Sequence, residues 1–191
     1  EKVNLPNKGE SHLMIPSFIN AHVHVGDNFA KERGFNRDLI EVVAPPSGIK
    51  HQLLGRISTK VKMEGITHGV NEMISSGTCA FVDFRENGRK GIEIVKNALT
   101  GAAITPQLYG RFSDAEEMRQ VFQLGDGIGL SSYRQLSAQE KRFLKDLKHA
   151  HEKLIATHVS EVRRDRIILD EILSDGIIDV LIHCTHFERE D

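Results

Sequence analysis

Short apolar runs alternate with stretches of helical periodicity along this chain, and that alternation constrains the fold more than any other feature. The runs are Leu13–Ile19, leading into Asn20-Ala21-His22-Val23-His24, then Thr78–Phe84, Ala102–Gly110, Gly127–Ser131, Leu154–His158 and Ile178–His183. Helical patterns fill 59–76, 89–99, 114–124, 138–151 and 163–174; in the first, Val61, Met63, Ile66, Val70, Met73 and Ile74 repeat on one face. Near-continuous apolar strands separated by helices read as a parallel sheet, because half-exposed antiparallel strands would alternate apolar with polar residues. The expected class is therefore α/β. A closed TIM-type (β/α)8 barrel needs about 250 residues, so 191 residues read as about six of its eight units. Pro106 sits awkwardly inside the third run, since proline has no ladder donor. Residues 26–57, polar and broken by Pro45-Pro46-Ser47-Gly48, read as a long connection of the lid or binding-loop kind.

Composition narrows the function. With 39% hydrophobic and 27% charged residues, the chain is long enough for one core and too short for two comfortable domains. A net charge of −2, with both signs interspersed, gives no footprint for nucleic acid or an anionic membrane. No apolar stretch approaches the ~20 residues of a membrane helix, and no signal peptide is recognisable at Glu1-Lys2-Val3. Cys79 and Cys184 lie in separate apolar segments and read as reduced, buried thiols. A cytoplasmic location, a small-molecule substrate and scope for homo-oligomeric assembly are the matching expectations.

The chemistry gathers at strand ends, where parallel α/β proteins place their sites. His22 and His24 close the first run; on a strand, residues i and i+2 face the same way and can share one ion. Ten histidines in 191 positions would give roughly half an H-x-H by chance, so the spacing alone says little. His149-Ala150-His151 has the same spacing, but on a helical pattern i and i+2 diverge by about 200°, and this pair reads as solvated surface. His158 and His183 end the fifth and sixth runs. Four histidines at one rim suit a first-row divalent ion, zinc foremost and iron also fitting; for His158 alone, a hydrogen-bonded core histidine is the plainer reading. Glu161, three residues after His158, suits a general acid–base, or equally an acid favoured at a helix N-terminus. Arg85, Arg111 and Arg134 each follow a strand; they suit a substrate carboxylate or phosphate, or ordinary salt bridges to acids such as Glu86 and Asp114.

Together Pro16–His24, His158-Val159-Ser160-Glu161 and Ile182-His183-Cys184-Thr185-His186 resemble the amidohydrolase superfamily, in its chlorohydrolase and cytosine-deaminase-like branch, over about residues 13–191. The resemblance implies that His22, His24 and His158 bind the metal, that Glu161 shuttles a proton, and that His183 orients the water or steadies a developing oxyanion. It implies hydrolysis or deamination at a C–N bond of a small cyclic substrate. His186 would point away if the sixth strand continued. Departures are visible as well. Ser17 stands where the family favours glycine, and Leu130-Ser131-Ser132-Tyr133 has no lysine to bridge two metals, so one ion is expected. The family's last ligand, an aspartate after strand eight, has no counterpart, and its small β-sandwich is reduced to a remnant at 1–12 before a partial barrel at 13–191. Strands seven and eight are expected in residues outside this chain. Two rival readings stand beside this one: a barrel-type metal-dependent phosphoesterase, for which only Asp83, Glu86 and Glu161 offer carboxylates, and a non-catalytic truncated barrel.

Overall fold

The computed structural model describes residues 13–44 and 47–191, so the expected sandwich remnant at 1–12 and the Pro45-Pro46 pair lie outside the described residues. Six parallel strands form one sheet in chain order: β1 (Phe18–Val23), β2 (Thr78–Arg85), β3 (Thr105–Gly110), β4 (Gly127–Leu130), β5 (Leu154–Val159) and β6 (Val180–His183). Helices α3 (Thr59–Ser75), α4 (Gly88–Ala98), α5 (Ala115–Leu124), α6 (Ala138–His151) and α7 (Arg166–Asp175) connect them. The sheet curls until the His22 ring on β1 lies 5.2 Å from the His183 ring on β6, a near-closed partial barrel. No helix among the described residues is long and apolar enough to cross a membrane.

Strand alternation divides the core in two. Phe81, Leu108, Ile128 and Ile155 face outward onto the helices in the main cluster. Phe84, Tyr109, Ala156 and Ile182, with Val82 and Val180, face inward as a second one. This places His158, two residues after Ala156, on the inner face. The helices begin where side chains satisfy their free amides: Asp114 accepts from Glu116 and Glu117 at 2.9 Å, and Ser137 and Glu140 form a reciprocal capping box. Asp165 caps α7 at Ile168, so that helix starts three residues later than its apolar pattern suggests. Ile128 is fully buried under the helices. Ile128→Ala is expected to cost about 2–5 kcal/mol, read as a lowered urea midpoint.

Several expectations need correction. The run Leu13–Ile19 is not a buried strand: residues 13–17 have no regular structure, β1 begins at Phe18, and Leu13, Phe18 and Ile19 are exposed. Among the described residues β1 is paired on one side only, so apolarity alone does not bury it. Cys79 is exposed and Cys184 half-buried; both are free thiols. Residues 26–57 are not a plain loop but hold a 3₁₀ turn, Val25–Ala30, and two short helices, α1 (Leu39–Val43) and α2 (Ile49–Arg56). Helix α3 lies directly on the 3₁₀ turn because Gly65 has no side chain; a Cβ there would come within 2.7 Å of the Phe29 nitrogen. Pro106 is accommodated within β3, since pairing with β4 starts only at Tyr109 and no β4 residue faces its missing donor.

Candidate active site

His22, His24 and His158 converge at the carboxyl rim of the strands, with ligand-capable atoms of all three within 4.8 Å of one another. The rings of His22 and His24 stand edge-on at 5.0 Å, and His22 and His158 at 4.8 Å. His22, on β1, and His24, just past its end, do not share a regular pleat. The ladder to β2 is irregular between Asn20 and Val23, and His24 already caps the 3₁₀ turn. A bulge of this kind re-aims a side chain. Phe84 floors the group, its ring 4.4 Å from His22 and 5.3 Å from His158.

Hydrogen bonds to backbone carbonyls orient two of the rings. His24 Nδ1 lies 2.9 Å from the Phe84 oxygen and His158 Nδ1 lies 2.8 Å from the Leu130 oxygen. A carbonyl only accepts, so Nδ1 carries the proton in both and each Nε2 keeps a lone pair. His22 Nδ1 is buried and meets no hydrogen-bond partner. Such a set fits a soft-to-borderline divalent ion: neutral imidazoles, held by outer hydrogen bonds, with one nitrogen left unsatisfied.

Burial above all keeps the His22 and His158 rings neutral. Burial, then the neighbouring His24, His183 and Arg111 charges, lower His22 to about 4. Burial lowers His158 to about 3, against the opposing Leu130 hydrogen bond and with help from Arg111. Both lie below the ordinary 6.5. Between those values the unfolded chain binds protons that the folded one refuses, so stability is present above pH 6.5 and is lost as pH falls toward 4 and then 3. The metal-free protein should therefore show a lower urea midpoint at pH 5 than at pH 7, with a flatter dependence in His158→Leu. An unchanged slope in that variant would refute the assignment.

Glu161 and His183 face each other across the β5 and β6 ends, Oε1 to Nε2 at 3.5 Å. The turn after β6 sets this spacing. His183 and Cys184 are both left-handed, at φ 74° and 56°, which costs of order 1–3 kcal/mol each and is typical of functional sites. The chain thereby folds over the end of β5: Cys184 N donates to Val159 O, and Thr185 Oγ1 donates to the Ser160 and Glu161 carbonyls at 3.0 and 3.1 Å. His186 is exposed, its backbone N–H bonded to Ser160 O.

A cavity of about 210 Å³ opens on this group, lined by His22, His24, His158, Glu161 and His183 together with Lys50, Arg111, Val43, Ala44, Ser131 and Gln135. The three strand-end arginines separate. Arg111 lines the cavity and lies 3.3 Å from Glu86 Oε1. Arg85 is buried away from it, paired with Glu86, with Asp83 at 3.6 Å and with Asp27 at 3.7 Å; burial opposes its charge, but these three carboxylates hold it above its ordinary value. Arg134 is exposed and forked onto Asp165 at 2.7 Å. His149 and His151 are exposed on α6, and His151 stacks on Phe122.

Lys50 at the cavity escapes sequence reasoning, and Glu86 behind it is read there only as a spare carboxylate or a salt-bridge partner. Lys50, on α2, is nearly buried against Asp27 and Glu86, but its polar segment gives no signal. Glu86 is buried among cations, and the signal was there: a charged pair, Arg85-Glu86, closing an apolar run is costly unless paired.

Comparison with known proteins gives a consistent picture. A family model described as the amidohydrolase family matches residues 13–190. An uncharacterised protein of Methanocaldococcus jannaschii is 37% identical over 159 residues, covering 79% of this chain and 42% of that protein. A protein of Methanothermobacter thermautotrophicus named "Putative aminohydrolase" is 29% identical over 201 residues, covering 95% and 52%. The chain thus spans about half the length of the curated relatives it matches. Among solved structures, guanine deaminase of E. coli superposes with a TM-score of 0.68 at 13% identity, over 92% of this chain and 47% of that one. A 5-methylcytosine deaminase of Klebsiella pneumoniae gives 0.65 at 15%, over 85% and 45%. At such identities the likeness speaks for the fold alone, that of a partial barrel.

Proposed function

The chain belongs to the amidohydrolase family, and from that membership we propose that it carries the catalytic rim of a metal-dependent hydrolase acting on a C–N bond of a small cyclic substrate, deamination foremost. The observation that carries this reading is one cavity holding three convergent imidazoles beside a carboxylate–imidazole pair. His22, His24 and His158 would hold one divalent ion, zinc foremost and iron the alternative, whose Lewis acidity would supply a water with a pKa of about 7. Glu161 takes a proton from the attacking water and returns it to the departing nitrogen, so that a C–O bond forms as the C–N bond breaks. His183, 3.5 Å from Glu161, orients the water and donates to the oxygen that gains charge. Arg111, which alone of the three strand-end arginines lines the cavity, would meet the substrate.

The phosphoesterase reading needs several carboxylate ligands on the cavity, which Glu161 alone among the described carboxylates lines. Asp83 Oδ1 accepts from Val25 N at 2.8 Å, and Glu86 is enclosed by cations, which leaves Glu161 alone on the cavity. Metal analysis together with ammonia release across a panel of nucleobases tests the proposal in a polypeptide of the relatives' length. One ion per chain with ammonia from at least one substrate is expected; a metal-free, inactive protein would leave the non-catalytic barrel. Residues 1–191 alone are expected to bind the ion weakly and turn nothing over. Full occupancy and turnover by that piece would require a fourth ligand from Asp83, Glu86 or Glu161.

A further inference from the structure

Behind the cavity sits a carboxylate that the mechanism above does not use. Glu86, directly after β2, is 4% exposed. Its Oε1 gathers His24 Nδ1 at 3.3 Å, Arg111 Nη1 at 3.3 Å and the Lys50 ammonium in closer contact, while Oε2 takes Arg85 Nη2. Lys50, 8% exposed, also reaches Asp27 Oδ2 at 2.6 Å and lies 3.4 Å from His24 Nδ1.

His24 Nδ1 therefore meets two opposite demands. The Phe84 carbonyl at 2.9 Å only accepts and requires a proton on Nδ1. The Lys50 ammonium only donates and, left to itself, requires a lone pair on the same atom. A proton on Nδ1 frees Nε2 to coordinate; a lone pair on Nδ1 puts the proton on Nε2 and blocks it. Glu86 decides the contest, because it engages the ammonium and stands beside Nδ1 as a second acceptor. We infer that Glu86 is a positioning residue that fixes the tautomer of His24 by sequestering Lys50, an inference that rests on His24 being a metal ligand. A carboxylate behind a ligating histidine is a general device; the competing buried lysine makes this one a selector.

The test reads the tautomer of His24 by long-range 1H–15N correlation in metal-free, 15N-labelled protein, and zinc affinity by competition with a chromophoric chelator. Wild type should show Nδ1–H. Glu86→Gln removes the charge that holds Lys50 beside His24, leaving it only Asp27, and should move His24 toward Nε2–H, with zinc bound about 10–100-fold more weakly. Lys50→Met alone should keep Nδ1–H. The double variant Glu86→Gln/Lys50→Met should regain Nδ1–H and most of the zinc affinity. A packing role predicts the reverse, since removing a second buried partner would deepen the loss. An unchanged tautomer in Glu86→Gln, or a double variant binding no better than the single, overturns the inference. If Glu86→Gln does not fold, Glu86→Asp withdraws the carboxylate by one methylene and should show the same shift, smaller; no shift there is equally fatal. A wild type that binds no zinc while the variants still switch tautomer would sink the metal reading and leave the selector standing.

Discussion

In a polypeptide of the relatives' length, His22→Ala is expected to abolish stoichiometric zinc binding, while His149→Ala leaves it untouched. Both histidines belong to an H-x-H pair, but only the first pair meets a third imidazole, with His22, His24 and His158 offering ligand atoms within 4.8 Å of one another. Outer hydrogen-bond partners of a ligand are worth about 10–100-fold in affinity, so loss of a ligand itself should exceed that range. The fold should tolerate the change, because His22 Nδ1 makes no hydrogen bond that would be lost. Equilibrium dialysis with zinc, beside a thermal melt of each metal-free variant, separates ligand loss from unfolding. Equal loss of zinc in the two variants would show that the strand-versus-helix distinction has no bearing on metal.

In that same polypeptide Glu161→Gln should retain zinc and lose turnover by about 10²–10⁴-fold, the usual contribution of a general acid–base group. The amide keeps the shape and can still contact His183 Nε2, which lies 3.5 Å from the carboxylate oxygen, but it cannot accept a proton. A helix-terminal role predicts something different: a small stability change and unaltered rate. The structure already separates Glu161 from that role, since α7 starts at Arg166 and is capped by Asp165. Rate and metal content measured on one preparation decide the matter, and an unchanged rate would remove Glu161 from the chemistry.

Much of this was legible in the sequence because it is local. Apolar runs and helical periods mark all six strands and the five longer helices of the described residues, and the strand-end rule puts His22, His24, His158, Glu161 and His183 at one rim. What escaped depends on distance along the chain. Lys50 reaches Glu86 across 36 residues, from a segment whose polarity reads as loop although it forms α1 and α2. Asp83 holds the amide of Val25 from the neighbouring strand, a contact that no window on either segment contains. The burial of β1 failed for a related reason: apolarity says what a strand can bury, while exposure depends on which neighbours are present. Arg134 shows the limit of the strand-end rule, since a 3₁₀ turn at Tyr133–Gln135 carries it to Asp165 on the outer surface.

The two outer strands give protein concentration a role in any measurement made on residues 1–191. Neither Phe18–Val23 nor Val180–His183 contains a Lys, Arg, Asp or Glu residue, and Leu13, Met14, Ile15, Phe18 and Ile19 stand exposed along or just before the first. Charges and prolines are what usually stop such edges from templating on one another. Self-association through them grows with the square of concentration, whereas folding does not depend on it. Refolding yield of residues 1–191 should therefore fall as the chain is concentrated, and a lysine at Ile19, whose side chain is exposed, should recover it without touching the histidines.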